Sequence, residues 1–143
     1  MAISTAKAED TSEKVEIVKA VFGVFSTAKN GELTFKRTDT VPLVDDQSYG
    51  WIIELRTKRR AVRFRETFSL PIAPKRWGTA DEPGFRVSTS PDGKVAVTVG
   101  DLDVVGGYVM HAWSVATGDP KGKYSIRVKI EELEEIAFEF NTK

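Results

Sequence analysis

The chain contains no cysteine and a single histidine, His111, among its 143 residues. Without cysteine there is no disulfide, no thiolate nucleophile and no Cys-based zinc or iron–sulfur site. The absence does not fix a compartment, because a domain with an adequate core needs no disulfide anywhere. Charge of one sign is not in excess either: Lys plus Arg is 21, Asp plus Glu is 21, and the formal net charge is +0. A protein that grips nucleic acid with its whole surface carries a basic excess, so nucleic acid is not an expected partner, although a local basic patch remains compatible. No apolar run approaches the ~20 residues needed to span a bilayer. No glycine-rich loop has phosphate-cradling spacing, and Gly106-Gly107 reads as a turn. No cofactor is expected.

What is present is the composition of a soluble globular domain, 41% hydrophobic and 29% charged. The length favours one domain with a real core. "AISTAKAEDTSEK" is small, polar and charged, so residues 1–14 are expected to be a disordered tail and residues 15–143 the folded domain. "AKA" before Glu9 has the look of a signal-peptidase site, but residues 1–5 cannot supply an apolar h-region.

Period-two alternation dominates from Val15 onward. Val15–Phe25 is apolar on both faces and reads as a central strand. Asn30-Gly31 signals a hairpin turn into Leu33–Val41. Tyr49–Thr57 places Trp51, Ile53 and Leu55 on one face. Lys58–Arg60 reads as a turn, and Val62–Leu70 puts Val62, Phe64 and Phe68 inward. Glu66 falls on that apolar face, which calls for a partner or a bulge. Pro71–Gly84 reads as an irregular connection from which Trp77 plugs one end of the core. Beyond it lie a short strand at Phe85–Ser88, a "SPDG" turn, and "KVAVTVG" alternating Val95, Val97 and Val99. Val109, His111, Trp113 and Val115 share a face, as do Tyr124, Ile126, Val128 and Ile130, and then Ile136, Phe138 and Phe140. Eight or nine short strands with regular turn signals predict an all-β protein, an immunoglobulin-like antiparallel β-sandwich.

Gly118, Asp119, Pro120 and Gly122 build a tight reversal between Trp113 and Tyr124. Pro120 fixes φ, Asp119 can accept from backbone amides ahead of it, and the two aromatics can pack over the joint. The stretch is therefore architectural, closing a hairpin or a sheet-to-sheet corner. Trp113, "GDPKGKY" and "IRVKI…AFEF", with the earlier "FGVF", "YGWIIEL", "PKRWGT" and "SPDGK", resemble an uncharacterised bacterial domain-of-unknown-function family with an immunoglobulin-like sandwich. The resemblance covers about residues 15–140. It implies the fold and a periplasmic or secreted location, with the cytoplasm as the alternative, and it supplies no catalytic residues. A more distant similarity is to the sandwich of intracellular proteinase inhibitors, which also end with a Trp, a G-x-P-type turn and a Tyr-led strand.

Chemistry-bearing residues are few. His111 lies mid-strand beside Trp113 with no nucleophile-elbow pattern, so it reads as a hydrogen-bonded sheet residue. Asp45-Asp46, Asp81-Glu82 and Asp101/Asp103 sit in turn-like segments, and no metal is expected there. The strongest local anomaly is "RTKRRAVRFR", with Arg56, Lys58, Arg59, Arg60, Arg63 and Arg65 on an expected hairpin near Lys36 and Arg37. Such a patch can dock an acidic protein surface or another anion, or simply guard a sheet edge. Trp51 and Trp77 are candidate contacts for a small ligand or carbohydrate, provided they are exposed. The expected function is a non-catalytic protein-interaction module, monomeric or a weak homodimer. The alternatives are a Trp-based ligand binder and an inhibitor presenting a loop within Pro71–Gly84.

Overall fold

A computed structural model describes residues 14–77 and 84–143. Ten strands run in chain order: β1 (Val15–Thr27), β2 (Leu33–Arg37), β3 (Thr40–Val41), β4 (Ser48–Thr57), β5 (Ala61–Ser69), β6 (Phe85–Thr89), β7 (Val95–Asp103), β8 (Tyr108–Ser114), β9 (Gly122–Ile130) and β10 (Ile136–Thr142). They form a four-stranded sheet, β2-β1-β4-β8, and a six-stranded sheet, β3-β10-β9-β5-β7-β6. Every pair is antiparallel except β3 with β10, which is parallel. The expected all-β immunoglobulin-like sandwich is what forms, with ten strands rather than eight or nine. Two short strands account for the difference, because "LTFKRTDTV" divides into β2 and β3 on different sheets. The expected tail lies almost wholly outside the described residues.

The inner faces follow the alternation. Tyr49, Trp51, Ile53 and Leu55 from β4 and Val109 and Trp113 from β8 meet Val62, Phe64 and Phe68 from β5 and Tyr124, Ile126, Val128 and Ile130 from β9. Phe22 of β1 stacks on Phe140 of β10 with ring centroids 4.2 Å apart and so ties the two sheets together. Gly23 and Gly50 are partners across β1 and β4. A Cβ on Gly23 would stand 2.1 Å from the Lys36 carbonyl oxygen, and one on Gly50 would stand 2.1 Å from the His111 carbonyl oxygen. Backbone, not a flexible side chain, occupies that space, so only glycine lets the four strands approach this closely.

The expected hairpin is corrected. β4 and β5 do not form a hairpin: they belong to different sheets, and Lys58–Arg60 crosses from one to the other. On β7 it is Ala96 and Thr98 that face inward, while Val95, Val97 and Val99 face out. The large rings opposite leave room for only small side chains there.

The Gly118–Tyr124 reversal is a sheet-to-sheet corner, since Trp113 lies on the four-stranded sheet and Tyr124 on the six-stranded one. The Tyr124 hydroxyl donates to the Pro120 carbonyl at 2.6 Å, the tyrosine-corner arrangement of immunoglobulin-like domains. Burial pushes the Tyr124 hydroxyl up to about 12, which keeps the donor in place. Asp119 accepts from Ala116 N–H at 2.9 Å, an amide behind it rather than ahead. Trp77 is half-buried at the same end, edge-on to Phe68 and Trp113, and donates to the Gly93 carbonyl at 2.8 Å.

Burial raises the Asp119 carboxyl above its ordinary value; the Ala116 N–H works against this and Asp45 works with it. A raised acid favours the fold fully below its unfolded pKa, and that contribution is lost as pH rises through the folded value. Asp119→Asn keeps an acceptor for Ala116 but removes the titration. The stability of the variant relative to wild type should therefore increase as pH rises from the acid range to neutrality, measured by urea midpoints across that window.

Candidate functional site

Two places hold unusual chemistry: a polar centre inside the core and the outer face of the six-stranded sheet.

The polar centre is built on Glu66, 0% exposed and facing inward from β5. No bulge displaces it, because the pairing of β5 with β7 and with β9 is continuous through that position. Three N–H groups from the opposite sheet converge on it. Trp51 Nε1 donates to Oε2 at 2.7 Å and Trp113 Nε1 donates to Oε1 at 2.8 Å. His111 Nδ1 lies 3.0 Å from Oε2. The tautomer with its proton on Nδ1 donates to Glu66, as the two indoles do. The His111 ring is also packed among Phe64, Phe85 and Trp113, with centroids 5.4–5.7 Å away. Among the described residues no hydroxyl hydrogen-bonds His111. Beside it on β7 sits Thr98, 1% exposed, whose Oγ1 has no partner among the described residues.

Trp51 is 0% exposed and its N–H is spent on Glu66, so it offers nothing to a ligand, which corrects the expectation placed on it. Trp77 shows part of its ring, but its N–H is spent on Gly93.

The six expected cations are not brought together. Arg56 lies on the four-stranded sheet and pairs with Glu16 at 3.3 Å. Lys58, Arg59 and Arg60 occupy the crossing, and Arg59 reaches Glu131 at 3.3 Å. Only Arg63 and Arg65 reach the outer face of the six-stranded sheet. Lys36 and Arg37 lie on β2, at the far edge of the other sheet. Sequence reading missed three others. Arg86 of β6 and Arg127 and Lys129 of β9 are exposed on the same outer face as Arg65. They surround the outward valines of β7, of which Val99 is 36% exposed. Val99 thus stands between Arg86 and Arg65, Val97 lies between Ser88 and Thr67, and the outward row of β7 continues to Asp101 and Asp103. The signal available in the sequence was the outward set of β9, Arg127 and Lys129, already visible as the face opposite Ile126 and Val128.

Asp45 accepts from the Thr117 hydroxyl at 2.7 Å. Among the described residues no group of three or more His, Asp or Glu could hold a metal ion, and Asp81-Glu82 lies outside the described residues. No helix there is long and apolar enough to cross a membrane.

Residues 20–143 match the PM0630 beta sandwich domain. The chain belongs to this family. Among solved structures, the domain is similar to an immunoglobulin-like protein from Pseudomonas aeruginosa, at 17% identity and a TM-score of 0.60 over 92% of this chain and 98% of that one. The likeness shows the fold. No curated protein matches the chain.

In this PM0630 domain, Glu66→Ala would leave two indole N–H groups and an imidazole N–H unsatisfied and open a void. Each orphaned buried donor costs about 1–3 kcal/mol. The variant should therefore lose more than about 3 kcal/mol in urea unfolding. Thr98→Val keeps the shape and removes a hydroxyl that bonds to nothing, so it should be neutral or stabilising by about 1 kcal/mol in the same assay.

Proposed function

We propose that this domain is a non-catalytic interaction module that binds an acidic protein surface through the outer face of its six-stranded sheet. The single observation that carries the reading is the orientation of β7. Val95, Val97 and Val99 turn to the outer side of that sheet, the first two half-buried and Val99 36% exposed, while Ala96 and Thr98 point to the core. A strand with its larger apolar residues outward offers an apolar centre, and the surrounding Arg65, Arg86, Arg127 and Lys129 give it a charged rim. Apolar centre and polar rim is the anatomy of a docking surface, and the sign of the rim selects an acidic partner. The polar centre inside the core supports the non-catalytic part of the reading. Glu66 and His111 are turned on each other and Glu66 also on two indoles, and among the described residues no hydroxyl hydrogen-bonds the imidazole.

Cross-linking capture from the native host tests this. Val97→Asp places a charge at the centre of the face without touching the core, and should abolish capture of a discrete partner while leaving thermal unfolding nearly unchanged. Met110→Asp, on the exposed face of β8 in the other sheet, should capture as wild type does. Retention of the same partner by Val97→Asp removes this face from consideration.

A further inference from the structure

One cross-strand row runs through the proposed docking face. Arg86 on β6 is opposite Val99 on β7, Val99 is opposite Arg65 on β5, and Arg65 is opposite Lys129 on β9. Like charges directly opposite one another destabilise a sheet. The neighbouring cations are relieved: Arg59 and Arg63 share Glu131, and Arg127 reaches Glu135 at 4.0 Å. Arg65 and Lys129 have no ion pair among the described residues. Among the described residues no acidic side chain is paired across the strands with either of these two.

The same two cations line an open hollow of about 330 Å³ together with Arg63, Phe64, Val99, Glu131 and Glu132. Glu131 is already engaged, accepting from Arg63 N–H at 2.6 Å and pairing with Arg59. Among the described residues neither Arg65 nor Lys129 forms an ion pair with Glu131 or Glu132, and Val99 adds an apolar side chain to the lining.

We propose that this hollow receives an aspartate or glutamate side chain of the partner, its carboxylate seated between Arg65 and Lys129 and its methylene stem against Val99. The inference rests on the interaction-module reading and names the chemistry that reading leaves open. An arginine fork matches a planar carboxylate with two parallel bonds, and a lysine adds a point charge at the other side. The incoming anion also removes the Arg65–Lys129 repulsion that the free domain carries.

The test is a titration of ¹⁵N-labelled protein, followed by NMR, with tetraglutamate, tetraglutamine and inorganic phosphate. Tetraglutamate should give saturable shifts confined to the Arg65, Val99 and Lys129 amides and the Arg65 side-chain N–H. Tetraglutamine should give none. The double variant Arg65→Gln/Lys129→Gln, with its spectrum otherwise intact, should bind tetraglutamate about tenfold more weakly. Lys129→Glu supplies Arg65 with a partner inside the chain, so it should raise Tm while abolishing the shifts, an outcome that a purely structural lysine would not give. Absence of saturable shifts, shifts unchanged in the double variant, phosphate binding as tightly as tetraglutamate, or a lowered Tm in Lys129→Glu would each overturn the assignment. If tetraglutamate fails while Val97→Asp still loses its partner, the docking face stands and only the carboxylate seat falls.

Discussion

The Glu66 carboxylate is the one directional contact at the middle of the sandwich, and the placement of its two sheets depends on it. Apolar burial supplies most of the driving force but specifies no angle. Hydrogen bonds do specify one. Glu66 reaches from β5 to Trp51 on β4 and to His111 and Trp113 on β8, so one side chain fixes the position of two strands of the facing sheet. The donors sit on rigid rings, which transmit the constraint into the backbone. A buried carboxylate is tolerable only because all three contacts are made. A partly satisfied buried network is worse than an apolar one.

The composition of the outer face follows from the same centre. Trp51, Phe64, Phe68, Phe85, His111 and Trp113 crowd the interior beside β7, with Phe64 and Phe85 5.1 Å apart and Phe68 and Trp113 5.1 Å apart. Little volume remains for β7 to fill. Ala96 and Thr98 fit, and the valines are left outward. A one-residue shift would bury the valines and force extra methyl groups into a packed core, a change that costs more than exposure of a short apolar stripe. The interior thus dictates which residues the exterior offers.

Much of this was legible in the sequence. Alternation placed the inner residues of β4, β8, β9 and β10 correctly, and the "GDPKGKY" turn announced the corner that Tyr124 closes on Pro120. Glu66 was visible as a charge on an apolar face, but its partners lie 15, 45 and 47 residues away, beyond any local pattern. Alternation in β7 left open which of its faces turns inward, because periodicity cannot see the volume already taken by rings on other strands. The Lys58–Arg60 turn misled because three residues serve a hairpin and a crossing between sheets equally well. Local chemistry cannot choose between them, and with that choice the grouping of Arg56 with Arg63 and Arg65 was lost. Arg86, Arg127 and Lys129 join Arg65 only through strand register, which no spacing in the chain encodes.

β5 belongs to both the interior network and the outer face. Its even positions carry Phe64, Glu66 and Phe68 inward, and its odd positions carry Arg63, Arg65 and Thr67 outward. The backbone under Arg65 is therefore held from below by the most constrained side chain of the core, and on both sides by β7 and β9. A binding group on such a strand meets its partner pre-positioned, with little ordering left to do on association. The outward side chains can change with little effect on the Glu66 contacts, because they stand on the opposite side of the strand and none of them hydrogen-bonds that network. Substitutions on the two sides of β5 should thus combine additively. That separation lets one sheet hold a strict interior and an adaptable surface on the same residues' alternate faces.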